Sequence, residues 1–368
     1  MNSGKNITVL HTESSTGWGG QETRTFHESI GMKKLGVKII VLCQPDSELG
    51  KKAKAAGIDV LTCRMKKSYD IFTISRIMKL IKEESVDIVN THSGRDTLLA
   101  GIAGKLSRRK PAIVRTRHLA LPITSKFTYN VLAHKIVTVS EYVRNYLISE
   151  GISPSKIAAV HTCVDINKFD PEKAKNGLRK ELGLDAATPI VGTVSILRRK
   201  KGHHILLDAI PEILKEVPEA VFVFAGNGPQ EENILNKIKA LELEGKVFML
   251  GLRHDIPDIL RSIDLFVLPT LQEALGTSFI EAMAMEKPVI GTDVGGVGEV
   301  IKDGVNGYMV KASDPSDLAG TIIKVLKADQ RGKMMGMQGR RMVLKNFSAE
   351  KMCEQMFALY RFLLNREN

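Results

Sequence analysis

Short apolar runs alternate with segments of helical period along nearly the whole of this 368-residue chain. In the first half the runs are 7–11, 37–43, 60–64, 87–92, 112–118, 135–140 and 157–164. In the second half they are 190–196, 220–225, 247–252, 264–269, 288–292 and 308–310. Strands that alternate with helices predict parallel sheets covered by helices on both faces. Two such series predict an α/β protein of two Rossmann-like domains, and the length is sufficient for two cores. The division falls in the polar stretch Asp165–Pro189, which holds an Asp170-Pro171 turn and a charged helix-like segment, Lys173–Leu182. The domains are therefore read as 1–170 and 171–348. The last helix, 349–365, carries Met352, Met356, Phe357, Tyr360, Leu363 and Leu364 along one side.

The chain is 43% hydrophobic and 26% charged, the composition of a globular protein. Its net charge of +12 is unevenly spread. From Thr97 to Ser140 there is no acidic residue, while Lys105, Arg108, Arg109, Lys110, Arg115, Arg117, Lys126 and Lys135 all fall there. Leu119, Leu121, Ile123, Phe127, Tyr129, Val131 and Leu132 are interleaved with them. Such a face suits anionic lipid headgroups. Nucleic acid is not the expected partner, because no recognised module appears and aromatics are only 5%. Residues Met1–Lys5 are short and polar and run straight into a strand, which argues against a signal peptide. No stretch approaches the ~20 apolar residues of a membrane span. Cys43, Cys63, Cys163 and Cys353 are scattered in apolar settings and read as buried free thiols. A cytoplasmic protein, peripheral on the inner face of the cytoplasmic membrane, is the expectation.

In open parallel sheets ligands bind beyond the carboxyl ends of the strands, so functional motifs are sought in the loops that follow strands. Gly17-Trp18-Gly19-Gly20 follows the first strand and precedes a helix beginning near Gln21, whose N–H groups suit a phosphate. His118 closes its strand, where an imidazole suits hydroxyl binding or proton handling; His92 closes another and reads the same way more weakly. Arg198, Arg199, Lys200 and Lys201 are four consecutive cations in a loop, which favours an anionic partner. The neighbouring His203 and His204 read as surface or supporting residues. Gly226-Asn227-Gly228-Pro229 either approaches a base or ribose or turns the chain. The glycines of Gly295-Gly296-Val297-Gly298 again follow a strand. No D-x-D lies in a strand-end loop, no histidine cluster has metal spacing, and G-x-S-x-G is absent, so neither a metal site nor a serine hydrolase is expected.

The most informative pair is Glu273 and Glu281. The first falls in a strand-to-helix turn and the second in the helix that follows. Between them Gly276-Thr277 marks the helix start, where unpartnered N–H groups and the dipole favour an anion. Glu281 lies roughly 7–8 Å along the axis from Gly276, at about 1.5 Å per residue. That spacing leaves room for a diphosphate at the helix start with one carboxylate for each flanking sugar.

Taken together, Glu273-x7-Glu281, Glu281-Ala282-Met283-Ala284, Gly19-Gly20, Lys201-Gly202, Gly226-Asn227-Gly228-Pro229, 264–269 and 295–299 resemble glycosyltransferase family 4. These are GT-B retaining nucleotide-sugar transferases, and the resemblance covers nearly the whole chain. It implies two Rossmann-like domains facing across a cleft, with the final helix, 349–368, returning to the first. It implies that Glu273 holds donor-sugar hydroxyls and Glu281 ribose hydroxyls. Lys201 with Arg198 or Arg199 would hold the diphosphate, helped by the backbone N–H groups of Leu275, Gly276, Thr277 and Gly19-Gly20. His118 matches a histidine that meets the donor sugar near the reacting carbon. On this resemblance His118 and Glu273 are the catalytic candidates, while Gly226 joins the donor-binding residues. No cofactor is implied, the nucleotide sugar being a substrate, and the acceptor is a glycan or glycolipid. Two positions depart from the family pattern. Ser195 and Ile196 stand where an arginine is usual, and Thr162-Cys163 replaces the usual Asn-Gly. A 2-epimerase on the same fold and a non-catalytic carbohydrate- or lipid-binding module are the rival readings.

Overall fold

The computed structural model describes residues 7–365, and within them each expected apolar run contains a strand. The chain divides into two compact units. One runs to Cys163 and takes back the chain from Ala349; the other is Val164–Ser348. Residues 164–170, assigned from sequence to the first domain, pack with the second, because Val164 and Phe169 are buried in its core. The Val164 N–H also donates to the Phe347 carbonyl at 2.9 Å.

The first unit holds β1 (Thr8–Glu13), β2 (Lys38–Cys43), β3 (Asp59–Thr62), β4 (Ile88–Thr91), β5 (Ala112–Arg117), β6 (Lys135–Thr138) and β7 (Ile157–Ala159). All pair in parallel, in the order β3-β2-β1-β4-β5-β6-β7. Alternate residues of a strand face opposite sides. Val9, Val41 and Val114 accordingly pack against Met32 of helix Gly20–Lys34 and against Met352 and Met356 of the last helix. Leu10, Ile40 and Val89 face the other way, onto Ile77 and Leu99. The last helix spans Ala349–Asn365, and its apolar side is the one read from sequence: Met352, Met356, Tyr360 and Leu363 are buried.

The second unit holds β8 (Ile190–Val194), β9 (Val221–Ala225), β10 (Val247–Gly251), β11 (Leu265–Leu268), β12 (Val289–Thr292) and β13 (Gly307–Val310). They are again all parallel, in the order β10-β9-β8-β11-β12-β13. Its two core layers, around Phe266 and Phe279 on one side and Phe222 and Phe224 on the other, cover both sheet faces. The helix expected over 173–182 is reduced to one turn, Leu178–Glu181. Gly177 stands at its start, and a glycine inside a helical segment costs about 1 kcal/mol relative to alanine. The four cysteines are free and buried.

Because Met356 is wholly enclosed, Met356→Ala is expected to cost about 2–5 kcal/mol in urea unfolding of the first unit. Gln355→Ala, on the exposed side of the same helix, is expected to stay within about 0.5 kcal/mol.

Candidate active site

Each sheet reverses its winding once, between β1 and β4 in the first unit and between β8 and β11 in the second. At such a switch point neighbouring loops diverge above the carboxyl ends and leave room for a ligand. The motifs singled out above cluster at these two places.

In the second unit, β8 leads through Ser195–Arg198 into a short 3-10 turn, Arg199–Lys201, and then helix His203–Glu216. β11 leads through Pro269–Gly276 into helix Thr277–Ala284. The two loops are joined by backbone: Leu271 N–H donates to the Lys200 carbonyl at 2.7 Å, and the Thr270 hydroxyl to the same oxygen at 3.0 Å. This places Lys201 Nζ 2.5 Å from Glu273 Oε2, with both side chains largely enclosed. The main chain of Glu273 is held as well. Gly296 N–H donates to its carbonyl at 3.2 Å, and Gly295 approaches so closely that a Cβ there would lie 2.0 Å from that oxygen. Gly276 is left-handed at φ +99°, the conformation that turns the chain into the helix. Among the described residues the N–H groups of Leu275, Gly276 and Thr277 have no hydrogen-bond partner. Three donors at a helix start beside a lysine make a ready anion site.

Glu281 lies one turn into that helix. Burial pushes its carboxyl up to about 7, although Lys168 and Lys201 pull it down. Lys168 carries no signal in the sequence, since it becomes a neighbour only through the fold. Arg198 and Arg199 are exposed and line a small pocket with His203, His204, Gln230 and Lys237, whereas Lys201 turns to Glu273. His203 is not a surface residue. It is buried against Phe224, its Nε2 lies 3.1 Å from Ser195 Oγ, and burial with the Lys201 charge lowers it to about 4. Gly226, left-handed at φ +144°, packs on Ser195, so the loop after β9 braces the loop after β8.

In the first unit, helix Gly20–Lys34 begins where expected, with Gly19 as its cap. Its amino end is already occupied by carboxylates. Gly19 N–H donates to Glu22 Oε2 at 2.9 Å, and Gln21 Nε2 donates to Glu13 Oε2 at 2.6 Å. Burial, together with the nearby Asp96, pushes Glu13 up to about 8. The Gly19 N–H is thus committed within the protein and is not open to a ligand as the sequence reading expects. His118 follows β5 and is buried, as is His92 after β4; His92 Nδ1 and His118 Nε2 are 3.0 Å apart. His11 within β1 extends the series, its Nδ1 3.0 Å from His92 Nε2. Sequence reading missed His11, together with Glu28, Asn90 and Tyr360 around it. A lone histidine in an apolar strand was the available signal.

The 97–140 stretch is not uniformly a surface. Arg115 is buried, with its guanidinium 3.7 Å from the centre of the Tyr129 ring, and Arg109 pairs with Asp87 at 2.7 Å. Leu119, Leu121, Phe127 and Val131 are exposed there. A second exposed apolar group, Tyr69, Ile71 and Phe72, stands at the start of helix Ile71–Glu83.

Comparison with known proteins finds a family match for each of the two units. A family model described as Glycosyltransferase Family 4 matches residues 18–168, and one described as Glycosyl transferases group 1 matches 174–342. The chain is 28% identical over 303 residues to N-acetyl-alpha-D-glucosaminyl L-malate synthase of Bacillus anthracis, covering 79% of each protein. It is 27% identical over 312 residues to the UDP-Gal:alpha-D-GlcNAc-diphosphoundecaprenol alpha-1,3-galactosyltransferase of Escherichia coli, again covering 79% of each. The crystal structure of Anabaena HepE in complex with UDP superposes with a TM-score of 0.86 at 21% identity, over 96% of this chain and 99% of that one. With the two Rossmann-like units and the Glu273-x7-Glu281 helix start, these matches identify the fold as GT-B, and the chain belongs to glycosyltransferase family 4.

Proposed function

We propose that the chain transfers a glycosyl group from a nucleotide-diphosphate sugar to a hydroxyl of a lipid-linked or membrane-embedded envelope glycan, with retention at the anomeric carbon and without a metal ion. The observation that carries the donor reading is the Lys201–Glu273 pair beside three unpartnered N–H groups at a helix start. The β-phosphate accepts from these donors, Lys201 supplies the compensating charge, and the freed face of Glu273 accepts sugar hydroxyls. Glu281 accepts the ribose hydroxyls. Arg198 reaches the diphosphate by turning from its exposed position. UDP in the HepE complex and the UDP-Gal donor in the name of the E. coli relative support the donor class.

A double displacement needs a carboxylate free to attack the anomeric carbon. Glu273 is engaged by Lys201, and burial holds Glu281 partly protonated at neutral pH. These facts favour a front-face route. The anomeric carbon–phosphate oxygen bond breaks as the acceptor oxygen bonds to the same face, and the departing diphosphate takes the acceptor's proton. Lys201 and the helix-start N–H groups stabilise the charge that develops on the leaving group. His118 meets the donor sugar near the reacting carbon. For the acceptor, the E. coli relative's name specifies a diphosphoundecaprenol-linked sugar, and the exposed apolar residues of the first unit lie among cations. Both suit peripheral association with the inner face of the cytoplasmic membrane.

With a panel of nucleotide sugars, Lys201→Ala and Glu273→Ala are each expected to lower donor turnover by about a hundredfold or more. Product NMR is expected to show the donor's anomeric configuration retained; inversion sinks the front-face route. Turnover without acceptor to a 2-epimer points to the epimerase instead.

Glu281 gives a test with opposite signs. Its carboxyl stands at about 7 in the folded protein, above the ordinary 4.5, so its contribution to stability is full below about 4.5 and is lost as pH rises through 7. At pH 8, Glu281→Gln is expected to raise stability by up to about 3 kcal/mol in urea unfolding. The unmodified protein is expected to lose nucleoside-diphosphate affinity as pH falls below 7, and Glu281→Gln to bind more weakly and without that pH dependence. Equal unfolding midpoints at pH 8 remove the buried-carboxylate account.

Sedimentation with vesicles containing anionic lipid is expected to carry the protein down at low salt, and neutral vesicles to carry much less. Binding indifferent to lipid charge removes the membrane proposal.

A further inference from the structure

Beneath the carboxyl edge of the first sheet lies a buried polar seam that donor binding alone does not require. His11 in β1, His92 after β4 and His118 after β5 come from three adjacent strands. The rings of His11 and His92 are stacked, 5.3 Å between centres and 15° apart, and those of His92 and His118 are again 5.3 Å apart. Their nitrogens meet at 3.0 Å at both junctions. At the inner end, His11 Nε2 faces Glu28 Oε1 at 3.9 Å, beyond hydrogen-bond distance, and has no hydrogen-bond partner among the described residues. Tyr360 O–H donates to that oxygen at 2.6 Å, Asn90 Nδ2 lies 3.3 Å from it, and Arg24 Nε lies 4.0 Å from the other. At the outer end, His118 Nδ1 is buried without a hydrogen-bond partner among the described residues.

Each neutral imidazole has one N–H and one bare nitrogen. Burial disfavours the charged form of all three rings. Two N–H···N bonds among three neutral rings then have only two arrangements. In one, every proton points inward: His118 Nε2–H to His92, His92 Nε2–H to His11, and His11 Nε2–H toward Glu28. In the other, every proton points outward and His118 Nδ1 carries the hydrogen. A carboxylate beside His11 Nε2 attracts an N–H and repels a lone pair, so it selects the inward arrangement.

We propose that Glu28, His11 and His92 are positioning residues that fix the tautomer of His118, leaving its Nδ1 bare as an acceptor for a ligand hydroxyl. If, as proposed above, His118 meets the donor sugar, this nitrogen accepts from a sugar O–H and cannot donate to a phosphate. The chain therefore favours the sugar part of the donor and is indifferent to the nucleotide part.

Long-range 1H–15N NMR of ring-labelled histidine in the whole protein reads the tautomer directly. The unmodified protein is expected to show His118 protonated at Nε2 only; a hydrogen on Nδ1 overturns the proposal, whatever the variants do. His11→Phe removes the link to Glu28 and is expected to give a mixture of His118 tautomers. His11→Gln, whose amide can accept from His92 and donate to Glu28, is expected to restore the Nε2–H form. An unchanged His118 signal in a folded His11→Phe protein also overturns the proposal. In binding assays His11→Phe is expected to weaken nucleotide-sugar affinity about tenfold, roughly one lost hydrogen bond, while leaving nucleoside-diphosphate affinity unchanged. Equal loss for both ligands means a general structural role and counts against the proposal. Failure of any nucleotide sugar to bind removes the donor reading, while the tautomer spectra still decide the relay.

Discussion

A parallel sheet delivers the carboxyl ends of all its strands to one edge, and at a switch point it leaves adjacent ends uncovered. Both units are organised around that constraint. At the β8/β11 switch the loops that emerge are tied to each other by main-chain bonds from Thr270 and Leu271 to Lys200. Only then do Lys201 and Glu273 come within 2.5 Å. At the β1/β4 switch the strand ends themselves carry the polar groups, His11, Glu13 and His92, and the flanking helices bring Glu28, Asp96 and Tyr360 to them. These groups are expensive to bury, and they are tolerated because nearly every one bonds to another.

The two edges differ in chemical character. The second-unit loops present Lys201, paired with Glu273, beside N–H groups that have no partner among the described residues, donors that suit an acceptor of negative charge. The first-unit edge presents imidazoles and carboxylates, and its helix start is already capped by Glu22. One edge is rich in hydrogen-bond donors and positive charge, the chemistry that suits an anion; the other is rich in acceptors, the chemistry that suits a hydroxyl.

Much of this was legible in the sequence. The alternation of apolar runs with helical segments located every strand, because a buried parallel strand needs continuous apolar residues whatever its neighbours. Glu273, Gly276 and Glu281 were legible because they lie within nine residues on one loop and helix, where spacing translates directly into distance. Lys201 was legible as charge, but its partner was not, since a bond across 72 residues depends on strand order. The same reason hid His11, Glu28 and Tyr360: the Glu28–Tyr360 bond spans 332 residues, and no local pattern records it. The helix expected over 173–182 failed on a local conflict instead, a glycine inside a charged run. The charge of Arg115 points to a surface position, but an inward-facing place on β5 admits it, with Tyr129 against its guanidinium and Thr128 accepting from it.

Helix Gly20–Lys34 shows how these demands are reconciled in one element. Its start lies at the sheet's carboxyl edge, and Arg24 and Glu28, one and two turns further on, are wholly buried between sheet and last helix. An ion pair in that position is a weak source of stability, since desolvation offsets most of its Coulomb attraction. Among the described residues Arg24 Nε and Nη2, Glu28 Oε2 and His11 Nε2 have no hydrogen-bond partner, so simple packing by apolar residues would serve the fold better. What apolar residues would not supply is a carboxyl group at the inner end of the histidine series. In the proposal above, the role of Glu28 is to orient His118 through His11 and His92, across β1 and β4 to the end of β5.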